Sequence, residues 1–150
     1  MKNSAAQPGR RDHVLALCHM LSNRIGKAFA GELGENGITV AEWRVILTLA
    51  LHETASGQEI TNRWAMDKMA VNRAIASLEK SGAIEKKRNA HDKRTRDIRL
   101  TRAGRSLYDA VLPMANKRYR KLMAGLDQSE HEALHGALIK MIAHVDAVID

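Results

Sequence analysis

The middle of the chain, residues 56–101, carries the helix-start and turn signals that most constrain the fold. Ser56 can cap a short helix that runs to Trp64, and Asp67 can cap a longer helix that Gly82 ends. Serine and aspartate accept hydrogen bonds from the free N–H groups of a first helical turn, and glycine readily adopts the left-handed conformation that follows a helix. The pattern therefore predicts two helices joined by a tight turn.

A short β-hairpin is expected directly after these helices. Segments 84–88 and 97–101 each predict a strand, and the polar loop 89–96 joins them. Nine basic and three acidic residues lie between residues 83 and 105, in a chain whose net charge is +7. This excess of positive charge favours a polyanionic partner such as nucleic acid. A solvated charged face is the alternative for such a run taken by itself.

Long amphipathic helices flank this central part. A helix over residues 11 to about 32 is predicted from apolar residues at three- and four-residue steps: Val14, Leu17, Cys18, Leu21, Ile25 and Phe29. Thr39 can cap the next helix, residues 40–52. Its expected buried stripe is Trp43, Ile46, Leu47 and Ala50. A further helix begins at Thr101, and Pro113 is expected to bend it because proline has no N–H to bond to the preceding turn.

The last helix has an apolar seam that needs a partner surface. Asp127 and Glu130 form a capping-box-like start. The apolar residues that follow step by four, three, four and three: Leu134, Leu138, Met141, Val145 and Val148. This spacing is typical of a coiled-coil seam. We therefore expect the first, fifth and sixth helices to pack against a second copy of the chain, with a closed monomeric bundle as the alternative.

The order and spacing of these motifs resemble the MarR family of winged helix-turn-helix transcriptional regulators. The resemblance rests on segment 42–47 (EWRVIL), the helix-turn-helix 60–79, the hairpin triplet Asp92-Lys93-Arg94 and segment 100–105 (LTRAGR). It extends from about residue 11 to the end, and it implies a mainly α fold in which the hairpin is a small β wing. It also implies a homodimeric repressor or activator that binds a pseudo-palindromic DNA operator and responds to a small molecule. We expect a ligand-responsive repressor.

The resemblance and the predicted elements divide the chain into three parts. Residues 1–10 are expected to be a flexible tail, and residues 37–101 the winged helix-turn-helix DNA-binding domain. Residues 11–36 and 102–150 are expected to form the helical dimerisation region. The two DNA-reading helices of a dimer would then lie one duplex turn apart, roughly 34 Å.

The helix over residues 68–81 is the expected reading helix. Its inward stripe is predicted to be Val71, Ala74, Ile75 and Leu78. The outward face, which would enter the major groove, is Lys68, Met69, Asn72, Arg73 and Ala76. Asn72 can pair with adenine and Arg73 with guanine, whereas Met69 can touch a thymine methyl group, as can Ala76. Ala65 departs from the family pattern because glycine is common in that turn. Met69 and Asn72 replace the small hydroxyl residues that are often found on the reading helix of the family.

The wing supplies the second set of predicted DNA contacts. Arg94 is expected to enter the minor groove, where narrow A·T tracts concentrate negative potential. Asp92 matches the acidic position of the family's wing motif and is expected to hold a nearby arginine in place. The other basic residues are expected to contact phosphates: Lys86, Lys87, Arg88, Lys93 and Arg96.

The resemblance also implies an effector pocket between the first, second and fifth helices. Candidate lining residues are Cys18, His19, Trp43 and Arg44, of which His19 or Arg44 can pair with a carboxylate. An aromatic acid, a phenol or a related thioester is the expected effector. The alternative is structural, with Trp43 in the core and Arg44 a surface cation. Cys18 also lies near the reactive thiol of the family's organic-hydroperoxide sensors, although a buried cysteine acting as a small apolar side chain is the more frequent case.

A second motif in the sequence points to different chemistry. His131, Glu132 and His135 satisfy the H-E-x-x-H pattern of zinc peptidases. No third ligand follows at a familiar spacing, so we expect surface histidines, no enzymatic activity, no metal and no cofactor. A single cysteine and the lack of an apolar run of about 18 residues favour a cytoplasmic protein without a membrane partner. An architectural DNA-binding protein without sequence preference is the second binding hypothesis.

Overall fold

The computed structural model describes residues 13–148, and this part of the chain is mainly helical. It contains eight elements: α1 (Val14–Glu35), α2 (Val40–His52), α3 (Gly57–Trp64), α4 (Lys68–Lys80), β1 (Ile84–Arg88), β2 (Arg96–Leu100), α5 (Arg102–Met123) and α6 (Gln128–Val148). The expected fold class, mainly α with a small β wing, is confirmed. The predicted tail, residues 1–10, lies outside the described residues.

The predicted helix starts are formed by local hydrogen bonds. Thr39 and Ser56 each form a complete capping box with the glutamate three residues later, and the Asp67 side chain accepts a hydrogen bond from the Ala70 N–H. The main-chain N–H of Ser56, and then its hydroxyl, lower the pKa of Glu59. Asp127 and Glu130 form the reciprocal pair that begins α6. These caps set the register of the helices without help from distant residues.

The two strands form an antiparallel hairpin in which Ile84 is opposite Leu100 and Arg88 is opposite Arg96. The second strand begins one residue earlier than expected, so the wing is β1, the loop 89–95 and β2. Ala55, before α3, exchanges two main-chain hydrogen bonds with Ile98, at 3.1 and 2.9 Å. This isolated bridge attaches the wing to the loop between α2 and α3.

A close approach of main chains attaches the wing to α5. A Cβ atom added to Gly104 would lie 1.9 Å from the carbonyl oxygen of Ala83. The same oxygen accepts a hydrogen bond from the Thr101 N–H at 3.0 Å, and the Thr101 hydroxyl donates to the carbonyl of Gly82. No side chain fits at position 104 unless the main chain moves.

The core of the first compact unit, which extends to Val111, surrounds α2. The buried side chains of α2 include Val45 and Leu49 as well as the expected Trp43 and Ile46. Leu47 and Ala50, which were expected in the buried stripe, are half-buried. The difference arises because α2 contacts α1, α3, α4 and β2, so it is buried on more than one side.

The second compact unit begins at Leu112 and comprises the end of α5 and all of α6. The division falls beside Pro113, through which α5 continues as a helix. No residue of α6 between 128 and 148 is buried within the described chain. The first unit therefore includes α1 and the start of α5 as well as the winged helix. The expected assignment of α1, α5 and α6 to dimerisation stays a prediction.

Candidate nucleic-acid interface

The reading helix α4 presents the face expected from its sequence. Its four inward residues are all buried: Val71, Ala74, Ile75 and Leu78. Its five outward residues are all exposed: Lys68, Met69, Asn72, Arg73 and Ala76. Met69 has the most exposed large apolar side chain of the helix, at 61%. The buried and exposed sides of α4 are therefore those predicted from its sequence.

A groove of about 450 Å³ lies between α3, α4 and the wing. We call it the basic groove because its lining includes four basic side chains and, among the described residues, no acidic one: Lys68, Lys86, Arg94 and Arg96. Asn72, Gln58 and Thr61 add polar side chains to its walls. The arrangement suits a chain of phosphates, since cations and neutral donors converge on one concave surface. Sequence reasoning missed the contribution of α3, because neither Gln58 nor Thr61 belongs to a charged run.

A second groove, of about 360 Å³, lies on the opposite flank of α4, beside the first turn of α2. Its lining includes Arg73 and Ser77 from α4, Ala41 from α2 and the capping residue Thr39. Arg73 and Asn72, although adjacent in sequence, thus border different grooves. The outward face of α4 is therefore divided between a wing side and an α2 side.

The loop of the wing is held by its own side chains. Asp92 accepts hydrogen bonds from the main-chain N–H of Arg94 and from the hydroxyl of Thr95, both at 2.9 Å. These two donors, in that order, lower the pKa of Asp92, so its carboxylate is charged at neutral pH. Asn89 accepts from the N–H groups of His91 and Asp92. Asp92 therefore positions Arg94 through its main chain, and the Arg94 side chain stays exposed.

Two basic residues of the hairpin are partly neutralised by acidic neighbours. Lys86 lies 2.8 Å from Glu79 at the end of α4, and Arg99 pairs with Glu85 across the sheet. The five basic residues nearer the tip are exposed: Lys87, Arg88, Lys93, Arg94 and Arg96. Positive charge available to a polyanion is thus concentrated at the tip of the wing.

The turn between α3 and α4 contains Ala65 in the left-handed conformation, with φ 46° and ψ 43°. The preceding Trp64 is anchored to α2, because its Nε1 donates a hydrogen bond to the Thr48 hydroxyl at 2.9 Å. The guanidinium of Arg44 lies over the Trp64 ring, 5.2 Å from its centroid. These contacts fix the end of α3, and hence the start of the reading helix, against α2.

The four residues expected in an effector pocket occupy different surroundings. Trp43 is 4% exposed, stacks on Tyr108 at 5.8 Å and meets the edge of Phe29 at 6.5 Å. Arg44 contacts Trp64 as described above, Cys18 is half-buried, and His19 is exposed. Cys18 lies about 16 Å from Phe29 along the axis of α1. It is therefore distant from the aromatic cluster of Phe29, Trp43 and Tyr108. The role of these residues in ligand binding stays a prediction.

The histidines of the H-E-x-x-H segment lie in the second unit. The Nε2 atom of His131 is hydrogen-bonded to the Tyr119 hydroxyl at 2.7 Å, with the two rings edge to face. His135 is exposed. Between residues 13 and 148, no group of three or more His, Cys, Asp or Glu side chains is arranged to hold a metal ion. No described helix combines the length and apolar character needed to cross a membrane.

A helix-turn-helix whose second helix is exposed beside a basic hairpin defines the winged-helix class of DNA-binding proteins. A family model described as the MarR family matches residues 36–95. A solved MarR/EmrR family transcriptional regulator from Acinetobacter sp. ADP1 is 31% identical to this chain, with a TM-score of 0.85. The match covers 93% of this chain and 99% of that chain. The chain therefore belongs to the MarR family of transcriptional regulators.

A curated relative and a further solved structure are more distant. The HTH-type transcriptional regulator PapX of Escherichia coli is 26% identical over 141 residues, which span 93% of this chain and 86% of PapX. BpsR of Bordetella bronchiseptica, whose DNA binding is regulated by 6-hydroxynicotinic acid, is 23% identical with a TM-score of 0.75. The match to BpsR covers 85% of this chain and 97% of that one, and it shows a shared fold.

Proposed function

We propose that this protein is a ligand-responsive repressor that binds a pseudo-palindromic operator as a homodimer. The observation that carries the proposal is the exposed face of α4, flanked by the basic groove and continued by the wing. A helix of this kind fits the major groove of DNA, and a basic hairpin beside it can reach the adjacent minor groove. The proposed setting is the cytoplasm.

The proposed DNA contacts fall into two groups. From the reading helix they are Lys68, Met69, Asn72, Arg73 and Ala76. From the wing they are Lys87, Arg88, Asp92, Lys93, Arg94 and Arg96, with Arg94 in the minor groove and Asp92 acting through the loop conformation. Exposure of both sets and the charge of the basic groove support these roles.

The proposed dimer is supported by apolar side chains that the single chain leaves exposed. On α1 they are Val14, Leu15, Leu17, Met20 and Leu21, and on α6 they are Leu134, Leu138, Ile139, Ile142, Val145 and Val148. Helix faces of this composition are stable in water when another apolar surface covers them. A second copy is the occupant that a two-fold operator requires, since it presents a second reading helix.

The proposed effector is an aromatic acid or a related thioester. The regulation of BpsR by 6-hydroxynicotinic acid, itself an aromatic acid, supports this class by analogy. Cys18, His19, Trp43 and Arg44 remain the proposed pocket residues. A ligand there would release DNA if it bound more tightly to a dimer whose reading helices no longer match the operator spacing.

DNA specificity is tested by selecting duplexes from a random library with the purified full chain. Competition assays at fixed salt concentration then compare the best selected duplex with random DNA. A sequence-specific regulator is expected to prefer the selected duplex by about 10³-fold or more. A ratio near one for every duplex would favour an architectural DNA-binding protein.

The effector class is tested with the same duplex. Aromatic acids are first screened for a thermal shift of the protein, and those that bind are then tested for release of the duplex. The screen includes benzoate-like acids and phenols. Non-aromatic acids of equal charge are the controls. Release by the non-aromatic controls at the same concentration would remove the aromatic class from the proposal.

A further inference from the structure

We infer that base discrimination is concentrated in an outer ridge of α4, and that each operator half-site pairs a thymine methyl group with a nearby guanine. The outer ridge consists of Met69, Arg73, Ala76 and Lys80. Asn72 lies outside it and contacts the sugar-phosphate backbone instead of the adenine expected from sequence. The inference rests on the proposed function, because it concerns how the same helix reads its operator.

The ridge follows from helical spacing and burial. Its members are four, three and four residues apart, which keeps them within about 60° of one another around the helix axis. The four buried residues of α4 occupy the opposite side and anchor it in the core: Val71, Ala74, Ile75 and Leu78. The ridge is thus the part of α4 farthest from the core. All four of its side chains are exposed.

Met69 is the apolar end of the ridge, 61% exposed. A thioether side chain offers no useful hydrogen bond to a base edge, but it gains free energy by covering apolar surface. The one apolar group that base pairs display in the major groove is the C5 methyl of thymine. The chemistry of Met69 therefore selects thymine.

Arg73 supplies the polar part of the reading. It lies one helical turn beyond Met69, about 6 Å along the axis, which corresponds to one or two base steps of roughly 3.4 Å. A guanidinium pairs best with the O6 and N7 acceptors of guanine. Lys80, about 16 Å from Met69 along the same line, is placed to meet the backbone where the helix leaves the groove.

Asn72 differs from Arg73 in both direction and surroundings. It points about 100° away from Arg73 and lines the basic groove together with Lys68 and Arg94. Lys68 and Arg96 in that groove are exposed, and such cations favour phosphate oxygens as its occupants. An amide in that position donates a hydrogen bond to the same phosphates.

The test uses base analogues in the duplex obtained by selection. Each thymine is replaced in turn by deoxyuridine, which removes the methyl group and nothing else. One position per half-site is expected to lose about fourfold in affinity, the value of one buried methyl group. The Met69→Ala protein is expected to lose this sensitivity, and Met69→Leu to keep it, because leucine also covers the methyl.

The guanine contact is tested in the same duplex with 7-deazaguanine. Substitution at one position within two base pairs of the sensitive thymine is expected to lower the affinity of the wild-type protein roughly tenfold. The same substitution is expected to change the affinity of Arg73→Ala little. Asn72→Ala is the matched control, since it removes a neighbouring polar side chain. It is expected to weaken binding to selected and random duplexes equally and to retain the deoxyuridine effect.

The outcomes separate the inference from the proposed function. A selected duplex with high specificity but no deoxyuridine-sensitive position, or unchanged sensitivity in Met69→Ala, would overturn the inference alone. A loss in Asn72→Ala that disappears when one adenine is replaced by 7-deazaadenine would also overturn it. Failure of the selection to enrich any sequence would overturn both the inference and the proposed function.

Discussion

Ala65 and Glu53 are the two non-glycine residues with positive φ in the part of the chain that the structure describes, and they lie on either side of α3. Ala65 matters most for function because its conformation sets the angle at which α4 leaves the turn. An alanine in the left-handed region costs about 1–2 kcal/mol relative to glycine. The turn is thus maintained by the contacts of α3 and α4 with α2.

Replacing Ala65 by glycine is expected to stabilise the protein. Relief of the left-handed cost is partly offset by about 0.5–1 kcal/mol from the greater freedom of glycine in the unfolded chain. The expected net gain is roughly 0.5–1 kcal/mol in the free energy of unfolding, measured by urea denaturation. Ala76→Gly, in the exposed middle of α4, serves as the control. Its free energy of unfolding is expected to fall by about as much as that of Ala65→Gly rises. A loss of stability in Ala65→Gly would contradict this account of the turn.

The packing around Gly104 leaves no space for a side chain. The Gly104→Ala variant places a methyl group against the Ala83 carbonyl, so the main chain at the junction of the wing and α5 must shift. A loss of about 3 kcal/mol is expected, at the upper end of the usual range for overpacking. Gly31→Ala provides the comparison, because no atom lies within 4 Å of its added Cβ and alanine favours the helix. Equal stabilities of the two variants would show that the close approach is not maintained in solution.

The wing is an element whose conformation and charge have separable roles. Its loop is held by Asn89 and Asp92, while its exposed basic side chains are left to contact a partner. The hairpin is also attached away from its tip, through the bridge between Ala55 and Ile98 and through Thr101. The tip can therefore be altered without unfolding the reading helix.

Two substitutions in the wing separate positioning from recognition. Arg94→Ala is expected to reduce operator affinity by roughly tenfold or more with unchanged circular dichroism, because it removes a minor-groove contact. Lys87→Ala is expected to weaken binding to operator and random DNA alike and to reduce the slope of log affinity against log salt by about one. Titrations at several salt concentrations measure both effects. Equal losses from the two variants on all sequences would show that Arg94 is also a phosphate contact.

At the scale of the whole molecule, both compact units carry exposed apolar helix faces. Leu138 on α6 is 39% exposed although it lies in the middle of the predicted seam. A chain of 150 residues with its apolar helix faces uncovered would be prone to association. The proposed dimer would cover these faces and supply the two-fold symmetry of the proposed operator.

The Leu138→Glu variant is expected to sediment as a monomer and the wild type as a dimer, because the substitution puts a charge in the apolar seam. Lys140→Glu also introduces a glutamate, but about 200° away around α6, and it is expected to leave the dimer intact. Circular dichroism of both variants checks that helicity is retained. A wild-type protein that is monomeric at micromolar concentration with full helicity would remove the dimer from the proposed function.

Local sequence patterns were enough to predict the helix starts, the wing and the inward and outward faces of α4. These features depend on caps and periodicities within a few residues of one another, as with Ser56 and Glu59. Packing between distant elements produces the wide burial of α2 and the stacking of Trp43 on Tyr108. It also forms the two grooves that Asn72 and Arg73 separately line. Such features join residues far apart in the chain. Their partners are set by how the elements pack, and no local pattern records that packing.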